Sequence, residues 1–384
     1  MKVLYSTQAV VQYDGKHYYS NAVQSTYPRY KALGDNLVCL AHIQQVEKGT
    51  EDKVDEGALE FVEVAKVNTP LSFFTARRDN DIIVEKEVKK ADVCVAHIPS
   101  FHSEAVVKYA RKYGKPYMTV VVGCSWDSYW NYNIKGKILA PFCYLSLRNA
   151  QKNAPFSIYV TNHFLQNRYP TTGKWIGCSN VYLSTGIKGV LESRLSSIKK
   201  KVEEKTVLKI GTAAALDVPY KGQQYVIQAL SILKKAGLIF EYHLVGAGTG
   251  EALKQAAIDY DVEDMIFIKG RIPHEKITDF LDEIDIYIQP SKQEGLPRAT
   301  IEAMSRGCLC LGSDIAGIPE LLEERYLFKK GDYKAIAKIL EDVSLEDLLG
   351  QAERNYNLAK EYDADVLNAR RTKFILEFRD SFMS

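Results

Sequence analysis

The chain lacks the cysteine pattern of a disulfide-rich secreted protein. Its 384 residues contain seven cysteines, which is an odd number, and a disulfide framework needs pairs. Most of them stand in apolar, strand-like runs, as free thiols of a reducing compartment do. No cysteine has the spacing of a zinc ligand. We therefore expect reduced thiols and no cysteine-bound zinc. The four in apolar runs are Cys39, Cys94, Cys308 and Cys310.

Long apolar runs and an excess of one charge are also missing. No run approaches the length of a membrane span, and the first residues, MKVLYSTQAVVQYDGK, lack the charged and apolar segments of a signal peptide. The 50 Lys and Arg nearly balance the 48 Asp and Glu, so the formal net charge is only +2. That balance argues against nucleic-acid binding through a basic face. We expect a cytoplasmic protein without a nucleic-acid partner.

The chain does contain two successive series of alternating strand and helix patterns. This alternation predicts parallel strands joined by helical crossovers, and the length suits two domains. The charged stretch SSIKKKVEEK separates the two series. We predict a first Rossmann-like domain at residues 1–182, a second at residues 183–365, and a closing helix at residues 366–384.

In the first series, apolar runs predict strands at Lys2–Ser6 and Val93–His97 and in the segment TVVVG. The alternating run Phe61–Val67 predicts a strand with one solvated face. A helical pattern covers Ile138–Lys152, and the segment SIYVT at residues 157–161 predicts the last strand of this half.

The most informative stretch runs from Pro290 to Gly307 and reads PSKQEGLPRATIEAMSRG. The β-forming run IDIYIQ leads into it. A helix is predicted to open near Pro297, because proline suits a first helical turn, and Gly307 stands where a C′ glycine belongs. The backbone from Gly295 through Leu296 to Arg298 then forms an anion site at the carboxyl end of a strand.

Two acidic residues bracket this site. Glu294 lies just before the helix and Glu302 lies inside it, with seven residues between them. The spacing alone also fits an ordinary explanation. In that case Glu302 forms salt bridges with Arg298 and Arg306, each four residues away, and Glu294 lies against the positive helix end.

The wider pattern PS-x-x-EG-L-P-x-x-x-x-EAM, followed by SDIAGIPELL at Ser313–Leu322, resembles the retaining glycosyltransferases of family 4. The resemblance covers nearly the whole chain, tightly in the second half and loosely in the first. It implies the GT-B fold, in which two doubly wound Rossmann-like domains face a cleft. It also implies transfer of a sugar from a UDP- or GDP-sugar to an acceptor hydroxyl, with retention and without a metal or other cofactor. Bacterial surface-polysaccharide or glycolipid assembly is the implied setting.

The resemblance assigns roles to residues of the second half. Glu302 is expected to bind the ribose and Glu294 the transferred sugar. Lys221, in VPYKGQQYVIQAL, matches the family lysine that stabilises the leaving diphosphate. The alternative for Lys221 is a solvated loop lysine.

A glycine-rich turn, VGAGTGE, brings Gly246 and Gly248 to the expected donor site. The same kind of turn occurs in nicotinamide enzymes, but the spacing here is G-x-G-x-G and no acidic residue ends the next strand. In the family the following GRIP segment contacts the nucleotide base, and Ile272 is the expected contact.

The chain departs from the family at two positions. No arginine stands near Thr212 and Ala213, where the family has one, and Val122 replaces a histidine close to the donor sugar. Candidates for the same side of the cleft are Asp127 for catalysis, and Trp126 and His97 for the acceptor. Asp127 is alternatively a helix cap or turn residue, and His97 is alternatively a packed strand-end histidine.

An aromatic and basic segment follows the predicted strand TVVVG. Its side chains suit peripheral contact with the inner face of a membrane if the acceptor is lipid-linked, and they equally suit an interdomain surface. Two other functions stay open, a nucleotide-sugar epimerase of the same fold and a non-catalytic sugar-nucleotide-binding subunit. The residues of the segment are Trp126, Trp130, Tyr132, Lys135 and Lys137.

Overall fold

A computed structural model divides the chain into two compact units. The first comprises residues 1–178 together with 368–384, and the second comprises residues 179–367. The boundary expected from the sequence, between residues 182 and 183, lies close to this one. The structure describes residues 1–55, 57, 59–66, 70–131 and 134–383, and for residues 70–75 the backbone alone.

The first unit is built on an eight-stranded sheet. Its strand order is β4-β3-β1-β5-β6-β7-β8, and these strands run parallel, while the short β2 pairs antiparallel with β1. The strands are β1 Lys2–Tyr13, β2 Tyr18–Tyr19, β3 Asn36–Gln45, β4 Leu59–Glu63, β5 Val93–Ile98, β6 Tyr117–Val121, β7 Phe156–Tyr159 and β8 Lys174–Gly177. The helices between them are α1 Asn21–Thr26, α2 Pro70–Lys90, α3 Phe101–Lys112, α4 Ser125–Trp130, α5 Ile134–Lys152 and α6 Phe164–Arg168.

Central strands β5 and β6 are buried along their whole length. Their sequences are continuously apolar because helices cover both faces of a parallel sheet.

Two predictions for this unit need correction. The run at residues 157–161 is not the last strand, because β8 pairs with β7 beyond it. The first strand extends past Ser6 to Tyr13 through a register shift. Strand β4 ends at Glu63, and Val67 of the predicted strand lies outside the described residues.

The second unit is a second doubly wound fold. Its six strands are all parallel, in the order β11-β10-β9-β12-β13-β14. The strands are β9 Leu208–Ala213, β10 Phe240–Val245, β11 Ile266–Gly270, β12 Ile286–Gln289, β13 Leu309–Ser313 and β14 Leu327–Phe328. The helices are α7 Val190–Glu203, α8 Gln223–Lys235, α9 Glu251–Asp259, α10 Ile277–Glu283, α11 Arg298–Ser305, α12 Tyr333–Asp342 and α13 Leu345–Ala359.

The last helix, α14 Ala364–Met383, begins in the second unit and ends in the first. Its Phe374 and Phe378 rings lie 5.3 and 5.2 Å from the ring of Phe156 in β7. Both phenylalanines are buried, so the end of the chain completes the core of the first unit.

Candidate active site

A cavity of about 430 Å³ opens at the centre of the second sheet. Strands β9 and β12 are neighbours there, although two strands and three helices lie between them in the sequence. This is the switch point of a doubly wound sheet, and ligands bind such folds outside the carboxyl ends of the strands at that point. The lining residues come from the ends of β9, β10, β11 and β12 and the loops after them, from the turn before α8, from the start of α10 and from α11. They are Ala213, Ala214, Ala215, Lys221, Val245, Gly246, Arg271, Ile272, His274, Ile277, Gln289, Glu294, Leu296, Pro297, Arg298, Ala299 and Glu302.

Helix α11 has the limits predicted for it. Pro297 is its N-cap, and Gly307 follows its end with a φ of +67°, the left-handed conformation that glycine adopts without strain. Leu296, Pro297 and Arg298 line the cavity. The Gly295 carbonyl accepts a hydrogen bond from the Gly317 N–H at 2.9 Å, which fixes the backbone just before the helix. The first turn of α11 is therefore fixed at the cavity wall.

Glu294 is held by a set of donors converging on one oxygen. Its Oε1 accepts hydrogen bonds from Gln289 Nε2 at 3.0 Å, Ser291 Oγ at 2.7 Å and Lys221 Nζ at 2.7 Å. Tyr287 in turn donates to Gln289 Oε1 at 2.8 Å. The side chain of Glu294 is thus fixed at the end of β12.

Lys221 reaches Glu294 because the loop before α8 and the loop after β12 lie in direct contact. The Lys292 N–H donates to the Tyr220 carbonyl at 2.7 Å. Gly222 has a φ of +82°, and a Cβ placed there would stand 1.9 Å from the Pro290 carbonyl oxygen. Only glycine allows this approach. The resulting Lys221–Glu294 ion pair is partly buried, with side-chain exposures of 23% and 12%.

Glu302 lies one turn into α11 and lines the same cavity as Glu294. Burial raises the pKa of its carboxyl above the ordinary value, and the nearby Arg298 and His274 side chains partly oppose that rise. Arg298 and Glu302 are four residues apart on one helix face. The structure therefore brings Glu294, Glu302, Lys221 and Arg298 together around one cavity.

The glycine-rich turn contributes Gly246 to the cavity lining. Gly248 lies beside a carboxylate instead, since a Cβ there would stand 2.7 Å from Asp217 Oδ2. Asp217 accepts the N–H groups of Thr249 at 2.9 Å and Gly250 at 2.8 Å, and these bonds lower its pKa. Two amides of the turn are thus already bound within the protein.

Sequence reasoning missed four residues of this site. Arg271 and His274 line the cavity beside the expected Ile272, and Gln289 and Ser291 hold Glu294. Arg271 stands inside the GRIP segment, next to Ile272, and this neighbouring position could have indicated that Arg271 also lines the cavity. The roles of Gln289 and Ser291 depend on the bend after β12, which the sequence alone did not fix.

The candidates of the first unit do not form a comparable cluster. Asp127 lies in the first turn of α4. Trp126 stacks on Trp130 at 5.1 Å, and the Arg168 guanidinium lies 6.0 Å from its ring centroid. His97 is buried against Tyr30, and burial lowers its pKa to about 3. Tyr132 lies outside the described residues.

Thr212 stands near the position where the retaining glycosyltransferases of family 4 have an arginine, and Val122 stands where they have a histidine. Both residues are packed within the protein. Thr212 is buried and donates to the Ile288 carbonyl at 2.7 Å, while Tyr242 donates to Thr212 at 2.8 Å. Val122 packs against the core of the first unit. Neither position leaves an unpaired polar group that a ligand would satisfy.

Within residues 1–55, 57, 59–66, 70–131 and 134–383, no three His, Cys, Asp or Glu side chains gather as a metal site. No described helix has both the length and the apolar character needed to cross a membrane.

Comparison with known proteins gives consistent similarities. Residues 194–361 match the family described as "Glycosyl transferases group 1". Protein CapJ of Staphylococcus aureus is 28% identical over 96% of this chain and 93% of its own. Amylovoran biosynthesis glycosyltransferase AmsK of Erwinia amylovora is 42% identical, over 31% of this chain and 32% of its own.

Among solved structures, Anabaena Alr3699/HepE in complex with UDP and glucose superposes with a TM-score of 0.65 at 16% identity. The superposition covers 97% of this chain and 98% of that one. Structural similarity at this identity concerns the fold, and the matched family concerns the second unit. The chain therefore has the GT-B fold, and residues 194–361 of its second unit match the glycosyl transferases group 1 family.

Proposed function

We propose that the chain is a retaining glycosyltransferase that moves a sugar from a nucleotide diphosphate sugar to an acceptor hydroxyl. The observation that carries the proposal is the arrangement of Lys221, Glu294 and Glu302 around one cavity at the sheet switch point. A cation for the leaving diphosphate and two carboxylates for hydroxyl groups are what such a donor requires.

In the proposed complex, Glu302 accepts hydrogen bonds from the ribose hydroxyls, and the backbone at Ile272 contacts the base. Arg271 and Arg298 supply positive charge for the diphosphate in place of the arginine absent near Thr212. Both line the cavity, and both are exposed, so they can turn toward a ligand without leaving a buried charge unpaired.

The proposed reaction is a front-face displacement. The bond from the sugar anomeric carbon to the diphosphate oxygen breaks, and the acceptor oxygen bonds to the same face of that carbon. The acceptor proton passes to the leaving diphosphate. Lys221 stabilises the negative charge that grows on the diphosphate, and Glu294 orients the sugar hydroxyls. Glu294 Oε1 already accepts three hydrogen bonds, which fix the orientation of the carboxylate and suit it to bind the sugar hydroxyls. The proposed path has no covalent intermediate.

Two similarities support the choice of substrates. HepE, of the same fold, was solved with UDP and glucose, so a UDP-sugar is the first donor to test and a GDP-sugar the second. AmsK is named for amylovoran biosynthesis, which supports assembly of a surface polysaccharide or a related glycolipid. The acceptor is then a glycan or a lipid-linked glycan.

A second candidate is a non-catalytic subunit that binds a sugar nucleotide. The absence of the family arginine near Thr212 and the presence of Val122 at the family histidine favour it. The Lys221–Glu294 ion pair opposes it, because a partly buried pair in the cavity suits charge stabilisation during a reaction.

One experiment separates these candidates and the epimerase. The full chain is incubated with UDP-glucose, UDP-galactose or GDP-mannose without acceptor, and proton NMR follows the sugar. Slow release of nucleotide and of the α-anomer supports a retaining transferase, and release of the β-anomer contradicts retention. Isomerised donor supports the epimerase, and binding without turnover supports the subunit. Lys254→Ala is the control, since Lys254 pairs with Glu251 at 2.8 Å and does not line the cavity.

A further inference from the structure

Helix α5, Ile134–Lys152, is apolar on two opposite faces. Its inner face packs into the first unit, as expected for a helix covering a sheet. The buried residues of that face are Gly136, Ala140, Cys143, Leu147, Ala150 and Gln151. The opposite face of such a helix is exposed to water and ordinarily carries polar residues.

The outer face of α5 instead carries four large apolar side chains. Ile134, Ile138, Phe142 and Leu145 are 79%, 66%, 69% and 60% exposed. They are spaced by four, four and three residues, so at 3.6 residues per turn they fall within an arc of about 80°. We call these four residues the outer ridge. Single exposed apolar residues are common on proteins, but a continuous ridge of this kind marks an interaction site.

The charges beside the outer ridge all have one sign. The sequence of α5, IKGKILAPFCYLSLRNAQK, contains no acidic residue and four basic ones. By helical geometry, Lys137 and Arg148 flank one side of the ridge and Lys135 flanks the other. All three are exposed. Lys137 Nζ also lies 5.8 Å from the ring centroid of Trp130, at the end of α4.

From this pattern we infer that the outer ridge and its flanking cations form a docking surface for an anionic lipid bilayer. Apolar side chains on one face enter the interface between head groups and acyl chains, and lysine and arginine beside them meet the lipid phosphates. The inference rests on α5 itself and is independent of the proposed transfer reaction.

The charge pattern favours a bilayer over a second copy of this chain. A symmetric dimer through the ridge would place Lys135, Lys137 and Arg148 against the same cations of the other copy. Like charges at that distance repel. An anionic surface instead complements all three, and the lipid interior accepts the apolar side chains.

The test measures binding of the full chain to vesicles without any donor. Vesicles of equal parts phosphatidylglycerol and phosphatidylcholine are compared with vesicles of phosphatidylcholine alone by flotation. The double variant Ile138→Asp/Phe142→Asp removes the ridge. Ile258→Asp is the matched control, because Ile258 is a 59% exposed isoleucine on helix α9. The triple variant Lys135→Gln/Lys137→Gln/Arg148→Gln removes the charges and leaves the ridge.

We expect binding to the anionic vesicles, weakened by salt and much weaker on phosphatidylcholine alone. The double variant should lose at least tenfold in affinity, since each side chain otherwise buries apolar area in the interface. The triple variant should lose on the order of a hundredfold, because each cation near an anionic surface contributes about fivefold. Ile258→Asp should bind like the wild type.

Three results would overturn the inference. One is a wild-type chain that does not bind the anionic vesicles, and another is binding that both variants retain. The third is concentration-dependent dimerisation in sedimentation, lost in the double variant, without vesicle binding, since the second copy would then be the occupant. If the double variant melts below the wild type, the triple variant decides, because its substitutions lie on exposed side chains outside the ridge.

Discussion

At the scale of single residues, the cavity of the free protein already contains an ion pair. Lys221 is bound to Glu294, and Glu302 lies four residues from Arg298 on the same helix face. A charged donor must replace the contact between Lys221 and Glu294 with contacts to its own phosphates and hydroxyls. The contribution of each residue therefore appears as a difference between binding and turnover.

Replacing Lys221 by Ala should lower turnover by roughly tenfold to a thousandfold while donor affinity changes little. Negative charge on the leaving diphosphate grows in the transition state, so the interaction with Lys221 strengthens there. Initial rates and calorimetry on the same protein give the two quantities. Lys254→Ala is the control for loss of an ion-paired lysine. Unchanged turnover in Lys221→Ala would show a solvated loop residue.

The two glutamates should separate binding from transfer. Glu302→Ala should weaken the bare nucleotide diphosphate and the intact donor alike, by about 1.5–3 kcal/mol for a lost hydrogen bond to a charged group. Glu294→Ala should leave bare nucleotide affinity nearly intact, because its contacts are with the sugar, and yet remove most of the transfer.

Calorimetry with nucleotide alone, paired with a transfer assay, measures both effects, and Glu251→Ala is the control for a paired glutamate outside the cavity. Equal losses of nucleotide affinity in the two cavity variants would refute the separate roles. Full transfer activity in both variants would mean that Glu294 and Glu302 have only ordinary charge interactions and no part in transfer.

A carboxyl outside the cavity should make folding stability depend on pH. Burial raises the pKa of Glu104 to about 7, with Ser146 and Arg77 opposing the rise. The folded state holds this proton more tightly than the unfolded state, so stability should fall as pH rises from the ordinary glutamate range through about 7. Glu104→Gln keeps a neutral side chain and should be more stable than wild type at pH 8, by on the order of 1–3 kcal/mol.

Urea unfolding at pH 5 and pH 8 tests this dependence. At the lower pH wild-type Glu104 is protonated, so the variant should gain little there. A stability difference of equal size at both pH values would mean that Glu104 does not titrate between them.

At the scale of elements, the loop before α8 and the loop after β12 act as one unit. Gly222→Ala should break that unit, because its Cβ would stand 1.9 Å from the Pro290 carbonyl oxygen and its φ is +82°. The left-handed conformation alone costs roughly 1–2 kcal/mol, and the clash adds to it. Donor turnover should fall as well, since Lys221 adjoins the clash.

Gly237→Ala is a matched control for the backbone conformation. Gly237 has a φ of +79°, and nothing lies within 4 Å of a Cβ placed there. Thermal unfolding and turnover of the two variants isolate the effect of the close approach. If Gly222→Ala is no more harmful than Gly237→Ala, the loops adjust and the approach does not position Lys221.

Elements with local signals could be predicted from the sequence. The strand before Pro290, the helix start at Pro297 and the glycine stop at Gly307 are confirmed, because caps and β-forming runs are local. Strand β8 could not be predicted, since its four residues become a strand only by pairing with β7. The apolar pattern of α5 was equally ambiguous, because periodicity does not tell which apolar face is buried.

Within the site, too, residues in a local sequence motif could be predicted and residues placed by the strand order could not. The motif residues Glu294, Glu302 and Lys221 were predicted, and the structure brings them to one cavity. Arg271 and His274 come from a separate strand end, after β11. Their presence in the cavity depends on the strand order of the sheet, which no local pattern specifies.

At the scale of the whole molecule, the division of the chain separates the candidate roles. Residues 179–367 form one uninterrupted unit that contains every residue lining the cavity. The outer ridge and the acceptor candidates Trp126 and His97 belong to residues 1–178. Nucleotide binding should therefore change the second unit locally, whatever lipid or acceptor the first unit binds.

Hydrogen–deuterium exchange of the full chain, with and without saturating UDP and with GDP as comparison, tests the central claim most directly. A bound nucleotide shields amides and suppresses local opening, so exchange should slow in segments 213–222, 270–277 and 289–302, which contain most of the cavity lining. Glu302→Ala should need more nucleotide for the same protection. Protection confined to residues 1–178, or none in the three segments at saturation, would contradict a donor site in the second unit.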